Sequence, residues 1–204
     1  MVDAGHRVGL HGLRHEIWAT LEPPRQVEVL EKSLAAMAAV GLRPMGFRPP
    51  GGYGSDNLAE LMRRFGFSHF SCVGEETRVV LDGVVSMPFS WPFVDGNQLD
   101  ERIGARFNIR PGPDGRFGPS LLKQVFIQEI DRAAEVGSHA VFDFHPAIIG
   151  QSRERMEALF SIIAHAQHRT DIWVASCGEV AEWLLTEQSR RCDTAFEIGT
   201  GGRT

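Results

Sequence analysis

Two histidines, His11 and His15, stand four residues apart in GLHGLRHE, directly after the apolar run Val8 to Leu10. Neutral imidazoles are good ligands for zinc and related divalent ions, and a tight turn at a strand end would aim both rings at one point. The chain has eight histidines, so a pair at this spacing also arises by chance, and a surface role stays open. Arg48 follows a second apolar run, in GFRPPGGYG, where two prolines stiffen the backbone and the three glycines after them let it approach a ligand. Such a loop can present backbone N–H groups to an oxyanion, or it can simply be the turn that starts the next helix. His145, in VFDFHPAIIG, follows a third apolar run and is stopped by Pro146. It reads either as a general acid or as an internally hydrogen-bonded histidine. The remaining histidines, His6, His69, His139, His165 and His168, read as structural or surface residues.

Those side chains need a scaffold, and the hydrophobic pattern supplies one. Apolar residues at helical spacing predict helices over Pro23 to Leu42, Ser55 to Phe65, Ser120 to Val136 and Ser152 to His168, with Ser55 as a cap. Short apolar runs between them suit buried strands at Val8 to Leu10, Met45 to Phe47, His69 to Val73, Val84 to Phe89, Ala140 to Phe144 and Ile172 to Ala175. Alternating strands and helices predict a parallel α/β sheet or barrel, and in such folds catalytic residues collect at the C-terminal ends of strands. His, Arg and His at three such ends favour an enzyme. The stretch from Asp95 to Gly118, rich in Gly, Pro, Asn and Arg, is expected to be a long binding loop or lid.

Length and composition bound the rest. With 204 residues, one domain over 1–198 is expected, followed by a disordered tail at 199–204. A formal charge of −5, with no run of Lys or Arg, argues against nucleic-acid and other polyanionic partners. Three widely spaced cysteines suggest reduced thiols in a cytoplasm rather than a disulfide framework. No stretch reads as a signal peptide or a membrane span.

Taken together, the motifs resemble those of the polysaccharide deacetylase family, or carbohydrate esterase family four. GHRVGLHGLRHE resembles its His-x-x-x-His metal motif, GFRPPGG its Arg-x-Pro-x-Gly motif and FHPAIIG its late histidine motif. MPFSWPFVD and DIWVASCGEVAEWL are looser matches to later segments. The resemblance implies a deformed (β/α) barrel and hydrolysis of a non-peptide carbon–nitrogen bond, most simply N-deacetylation of a sugar. It implies that His11 and His15 hold a divalent metal, usually zinc, and that the Gly51 N–H holds the oxyanion. His145 would protonate the leaving amine and Arg48 would hold a carboxylate. Trp91 and Tyr53 would contact substrate, with Asp95 as a substrate-side or supporting residue. Asp143 departs from the pattern, standing where family members have a small or aliphatic residue, and reads either as a partner for His145 or as a change to the pocket.

One departure stands against these matches. Family members open with a strand that ends in a pair of aspartates, a metal ligand and a general base, and nothing before His11 resembles it; Asp3 lies too near. The chain therefore reads as N-terminally truncated, an incomplete barrel lacking its first strand. Its unpaired strand edges would favour self-association. Two rival functions follow: an allantoinase-like hydrolase of a small cyclic amide, and an inactive fragment that keeps weak metal or sugar binding.

Overall fold

A computed structural model describes the backbone over residues 4–200 except residue 82, and side chains through residue 189. Within the stretch expected to form one domain, the chain gathers into two compact units, Met1–Pro88 with Ala175–Thr204, and Phe89–Val174.

The first unit is built on a four-stranded sheet. Helix α1 (Pro23–Ala39) begins with two prolines in its first turn, where a missing N–H leaves no bond unmade, and buries Gln26, Val29, Leu30 and Ser33. Strand β1 (Gly46–Phe47) is followed by α2 (Leu58–Arg64), β2 (His69–Phe70), β3 (Arg78–Leu81) and β4 (Val84–Ser86). The sheet order is β1-β2-β4-β3, parallel from β1 through β4 and antiparallel at the β3–β4 hairpin. Leu10 adds one parallel bridge to Phe47 on the outer side of β1. Trp18, Leu30, Phe47, Met62 and Phe67 form the buried core, with the Trp18 and Phe47 rings edge-to-face at 4.9 Å. Helix α8 (Cys177–Thr200) buries Ala181 against Val85 and Met87. Ser176 and Glu179 cap its start reciprocally, and Arg7 grips Glu182 one turn on.

The second unit is mainly helical, with α3 (Asp95–Leu99), α4 (Glu101–Gly104), α5 (Pro119–Val136), α6 (Pro146–Ile149) and α7 (Arg153–His168). Helices α5 and α7 share a core of Leu122, Phe126, Ile130, Ala158 and Ile162. Phe142 and Phe144 lay their rings on Phe126 at 5.1 and 5.2 Å. Ser152 caps α7 by accepting the Arg155 N–H.

The fold class is the expected α/β, and the four predicted helices are all present, but the strand assignments are corrected in several places. Residues Val8 to Leu10 and Ala140 to Phe144 contribute one bridge residue each, Leu10 and Asp143, rather than strands. Ile172 to Ala175 forms no strand, and Trp173 and Val174 stand exposed, so the edge expected there is not an edge. The hairpin partner β3 went unpredicted. Helix α2 starts at Leu58, because the Ser55 hydroxyl is committed elsewhere, accepting from the Trp18 indole and donating to Gln26. The long loop from Asp95 to Gly118 contains α3, α4 and a 3₁₀ turn at Ala105–Phe107. Of the expected tail, residues 199 and 200 close α8, while 201–204 and Asp3 lie outside the described residues. No helix among the described residues is long and apolar enough to cross a membrane.

Candidate active site

In the first unit, three neighbouring chain segments deliver polar residues from the same end of the sheet. The Leu10 N–H bonds the Gly46 carbonyl and the Arg48 N–H bonds the Leu10 carbonyl, while the Ser71 N–H bonds the Phe47 carbonyl. Because these pairings are parallel, His11, Arg48 and Ser71 emerge together just past the paired residues. His11 Nδ1 lies 2.7 Å from the Arg48 carbonyl oxygen. A carbonyl only accepts, so Nδ1 carries the hydrogen and Nε2 is the basic nitrogen. The His11 and His15 rings meet edge-to-face at 4.9 Å, and both side chains are exposed. His15 reaches that position with φ of 62°, in the left-handed region that side chains seldom occupy. Glu16 pins the turn between them, its Oε2 accepting the N–H groups of Leu13 and Arg14. Burial pushes the Glu16 carboxyl up, but those backbone donors together hold it below its ordinary value.

Arg48 is half-buried and donates from Nη2 to the Ser71 hydroxyl at 3.0 Å. Ser71 was missed in the sequence, where a serine ending an apolar run carries no distinguishing signal. The following loop turns through Gly51 at φ of 82°, and a Cβ there would come within 3.2 Å of Ile17. The Gly51 N–H enters no hydrogen bond among the described residues, whereas the Gly52 N–H is spent on Pro49. Tyr53 is exposed beside this loop. Burial pushes the nearby Cys72 thiol up to about 12, so it is no nucleophile at neutral pH.

The second unit holds a polar centre of its own. Asp95 is 0% exposed, and its carboxylate takes three donors: Oδ1 accepts from the Gly96 N–H and lies 2.8 Å from His145 Nδ1, while Oδ2 accepts the His145 N–H. The Asp143 backbone locks the pair in place by accepting from the Asp95 N–H and donating to Phe93. His145 thus keeps Nδ1–H toward the carboxylate and presents Nε2, with 48% of its side chain exposed. Asp95, expected as a substrate-side or supporting residue, is the buried partner of His145, and the Asp143 backbone supports the pair. Trp91 is partly buried, stacked on Phe107 at 4.1 Å and edge-on to Phe89.

The donor set fits a divalent metal only in part. His11 and His15 have the chemistry and the proximity, and the Arg48 carbonyl orients His11 as outer partners orient metal-bound imidazoles. No group of three or more His, Cys, Asp or Glu side chains suited to a metal forms among the described residues.

The polysaccharide deacetylase family model matches residues 1–70, a stretch that includes His11, His15, Arg48 and Gly51. The chain is 37% identical over 68 residues to a peptidoglycan deacetylase-like protein of Gibberella zeae, covering 33% of this chain and 20% of that one. It is 22% identical over 219 residues to the peptidoglycan deacetylase of Helicobacter pylori, covering 94% and 74% respectively. A solved structure from Mycobacterium smegmatis, assigned as a polysaccharide deacetylase, aligns with a TM-score of 0.77 at 25% identity, over 92% of this chain and 65% of that chain. The chain is similar to polysaccharide deacetylases, by the family model over residues 1–70 and in fold over 92% of its length. It spans 20% of the fungal relative and 65% of the mycobacterial structure.

Proposed function

We propose that this chain carries catalytic residues of a metal-dependent hydrolase that removes the acetyl group from an N-acetylated sugar. The observation that carries this reading is the His11–His15 pair, two touching imidazoles at a strand end with His11 oriented through Nδ1 by the Arg48 carbonyl. His11 and His15 would hold a divalent ion, zinc being the expected one. Such an ion would supply Lewis acidity, acidifying a water and polarising the amide carbonyl.

The chain's own groups have definite tasks in that reaction. As the water oxygen bonds to the carbonyl carbon, negative charge develops on the carbonyl oxygen, and the uncommitted Gly51 N–H is the donor suited to it. When the carbon–nitrogen bond breaks, the departing nitrogen needs a proton. His145 is assigned that transfer through Nε2, with Asp95 fixing the ring's tautomer and orientation. Arg48, anchored on Ser71, is the cation available to hold a carboxylate.

The test is acetate release from N-acetylglucosamine oligomers with added zinc or cobalt, run beside zinc titration of the unmodified chain and of His11→Ala. Metal-dependent release that His11→Ala abolishes supports the reading. Release of product from a cyclic ureide but not from sugars would move the substrate to the small-amide rival. Zinc binding unaffected by His11→Ala would overturn the metal assignment whether or not acetate appears.

A further inference from the structure

The chain's formal charge of −5 conceals a local reversal. Between residues 102 and 123 the sequence holds five cationic side chains, Arg102, Arg106, Arg110, Arg116 and Lys123, against one carboxylate, Asp114. Arg102 is paired with Asp100, and the exposed Asp114 accepts the Arg116 N–H and makes no ion pair among the described residues. Arg106, Arg110 and Arg116 are exposed and make no ion pair among the described residues. A net anionic protein that leaves three guanidinium groups unneutralised on one short segment has an unmet demand for anions there.

The segment is folded back on itself. The Ile109 N–H bonds the Gly104 carbonyl, the Gly112 N–H bonds the Arg116 carbonyl, and the Gly118 N–H bonds the Gln98 carbonyl. Gly104 is required for this closure, because a Cβ there would lie 2.3 Å from the Asn97 carbonyl oxygen. An aromatic floor adjoins the arginines: Phe107, next to Arg106, stacks on Trp91 with the planes 21° apart. That floor is held from below, since the buried amides of Asn97 and Gln98 donate to the carbonyls of Trp91 and Pro92. Anchored aromatic rings flanked by guanidinium groups suit a sugar bearing an anionic group: rings bind the apolar face of a pyranose, and guanidinium forks match carboxylate or phosphate oxygens.

We infer that residues 102–118, with the Trp91–Phe107 stack, form a recognition surface for an acidic glycan, so that the substrate class is an N-acetylated polysaccharide carrying carboxylate or phosphate groups. This rests on the deacetylase reading for its substrate, but its test reads binding alone. Affinities are compared by calorimetry for a neutral N-acetylglucosamine oligomer, an oligomer of equal length alternating N-acetylglucosamine with a uronic acid, and a DNA duplex of similar charge. The unmodified chain, the triple variant Arg106→Gln/Arg110→Gln/Arg116→Gln and His11→Ala are each measured at low and high salt.

The acidic glycan is expected to bind about tenfold tighter than the neutral one, a figure matching three exposed charge pairs, and the margin should shrink with salt. The triple variant should lose the margin while keeping neutral-sugar binding, and His11→Ala should keep it. Equal binding of neutral and acidic sugars, or a margin that survives in the triple variant, overturns the inference. DNA binding as tight as the acidic glycan would also overturn it, by showing a surface that reads charge without sugar. If no acetate is released from any sugar while the acidic margin holds, the deacetylase reading fails and the glycan surface stands.

Discussion

Asp95 shows how much a single side chain's role depends on contacts that no local pattern encodes. Its partner is 50 residues away, and nothing in MPFSWPFVD announces that the carboxylate would be buried under three donors. Replacing it with Asn sets an NH₂ against at least one of those donors. Asp95→Asn should therefore lower kcat about 10²-fold or more with little change in KM, and destabilise the protein by about 1–3 kcal/mol. A variant retaining full turnover would remove Asp95 from the proton-transfer apparatus. The meeting of His11 and Arg48 was legible from the apolar run before each, whereas the run before His145 supplies one bridge residue, Asp143, rather than a strand. Zinc should bind the intact pair weakly for want of a third protein ligand among the described residues, and His11→Ala should weaken it by at least about 10-fold. Nanomolar affinity in that variant would show that the ligands lie elsewhere.

At the scale of elements, helices were legible over most of their length, while strands were located at β1, β2 and β4 but overcalled elsewhere, for a physical reason. A helix of 16 to 18 residues, such as α5 or α7, repeats its buried face several times, so Leu122, Phe126, Ile130 and Ala133 declare themselves by spacing alone. The strands here are two to four residues long, and a two-residue ladder leaves no alternation to read. Apolar runs consequently predicted too much strand at Val8 to Leu10, Ala140 to Phe144 and Ile172 to Ala175. Two serines that open predicted helices separate cleanly. Ser152 caps α7, and Ser152→Ala should cost about 1 kcal/mol. Ser55 instead joins the buried Trp18 indole to Gln26, so Ser55→Ala should cost about 1–3 kcal/mol by leaving that indole N–H without its acceptor. Chemical denaturation of both variants measures the difference; a smaller loss for Ser55 than for Ser152 would mean that a water replaces the hydroxyl.

For the whole molecule, stability in mild acid should be governed by a histidine that has no part in the proposed chemistry. His69 opens β2 with its ring packed over Gly46, where even a Cβ would fall 2.2 Å from Nε2. Burial, reinforced by the positive charge of Arg7 and opposed by Glu182, brings its pKa down to about 4 from an ordinary 6.5. Between those two values the unfolded chain binds a proton at this position that the folded chain refuses. The unfolded state then carries more protons, so stability falls as pH drops from about 6.5 and levels off below about 4, where both states are protonated. The loss attributable to His69 should be roughly 1–3 kcal/mol, reduced from the full value because the ring is only partly enclosed. Carboxylates held low, such as Glu28, whose bonds to Lys32 and Arg25 bring it to about 2, act in a different window, losing their contribution only below about 4.5. The two windows can be separated by His69→Gln, which removes the titrating group while keeping a polar side chain of similar length. Unfolding midpoints measured from pH 7.5 to 3 should fall steeply down to about pH 4 for the unmodified chain and markedly less for His69→Gln, with the two curves running parallel below about pH 4. Identical slopes across the upper window would place the acid sensitivity in some other group.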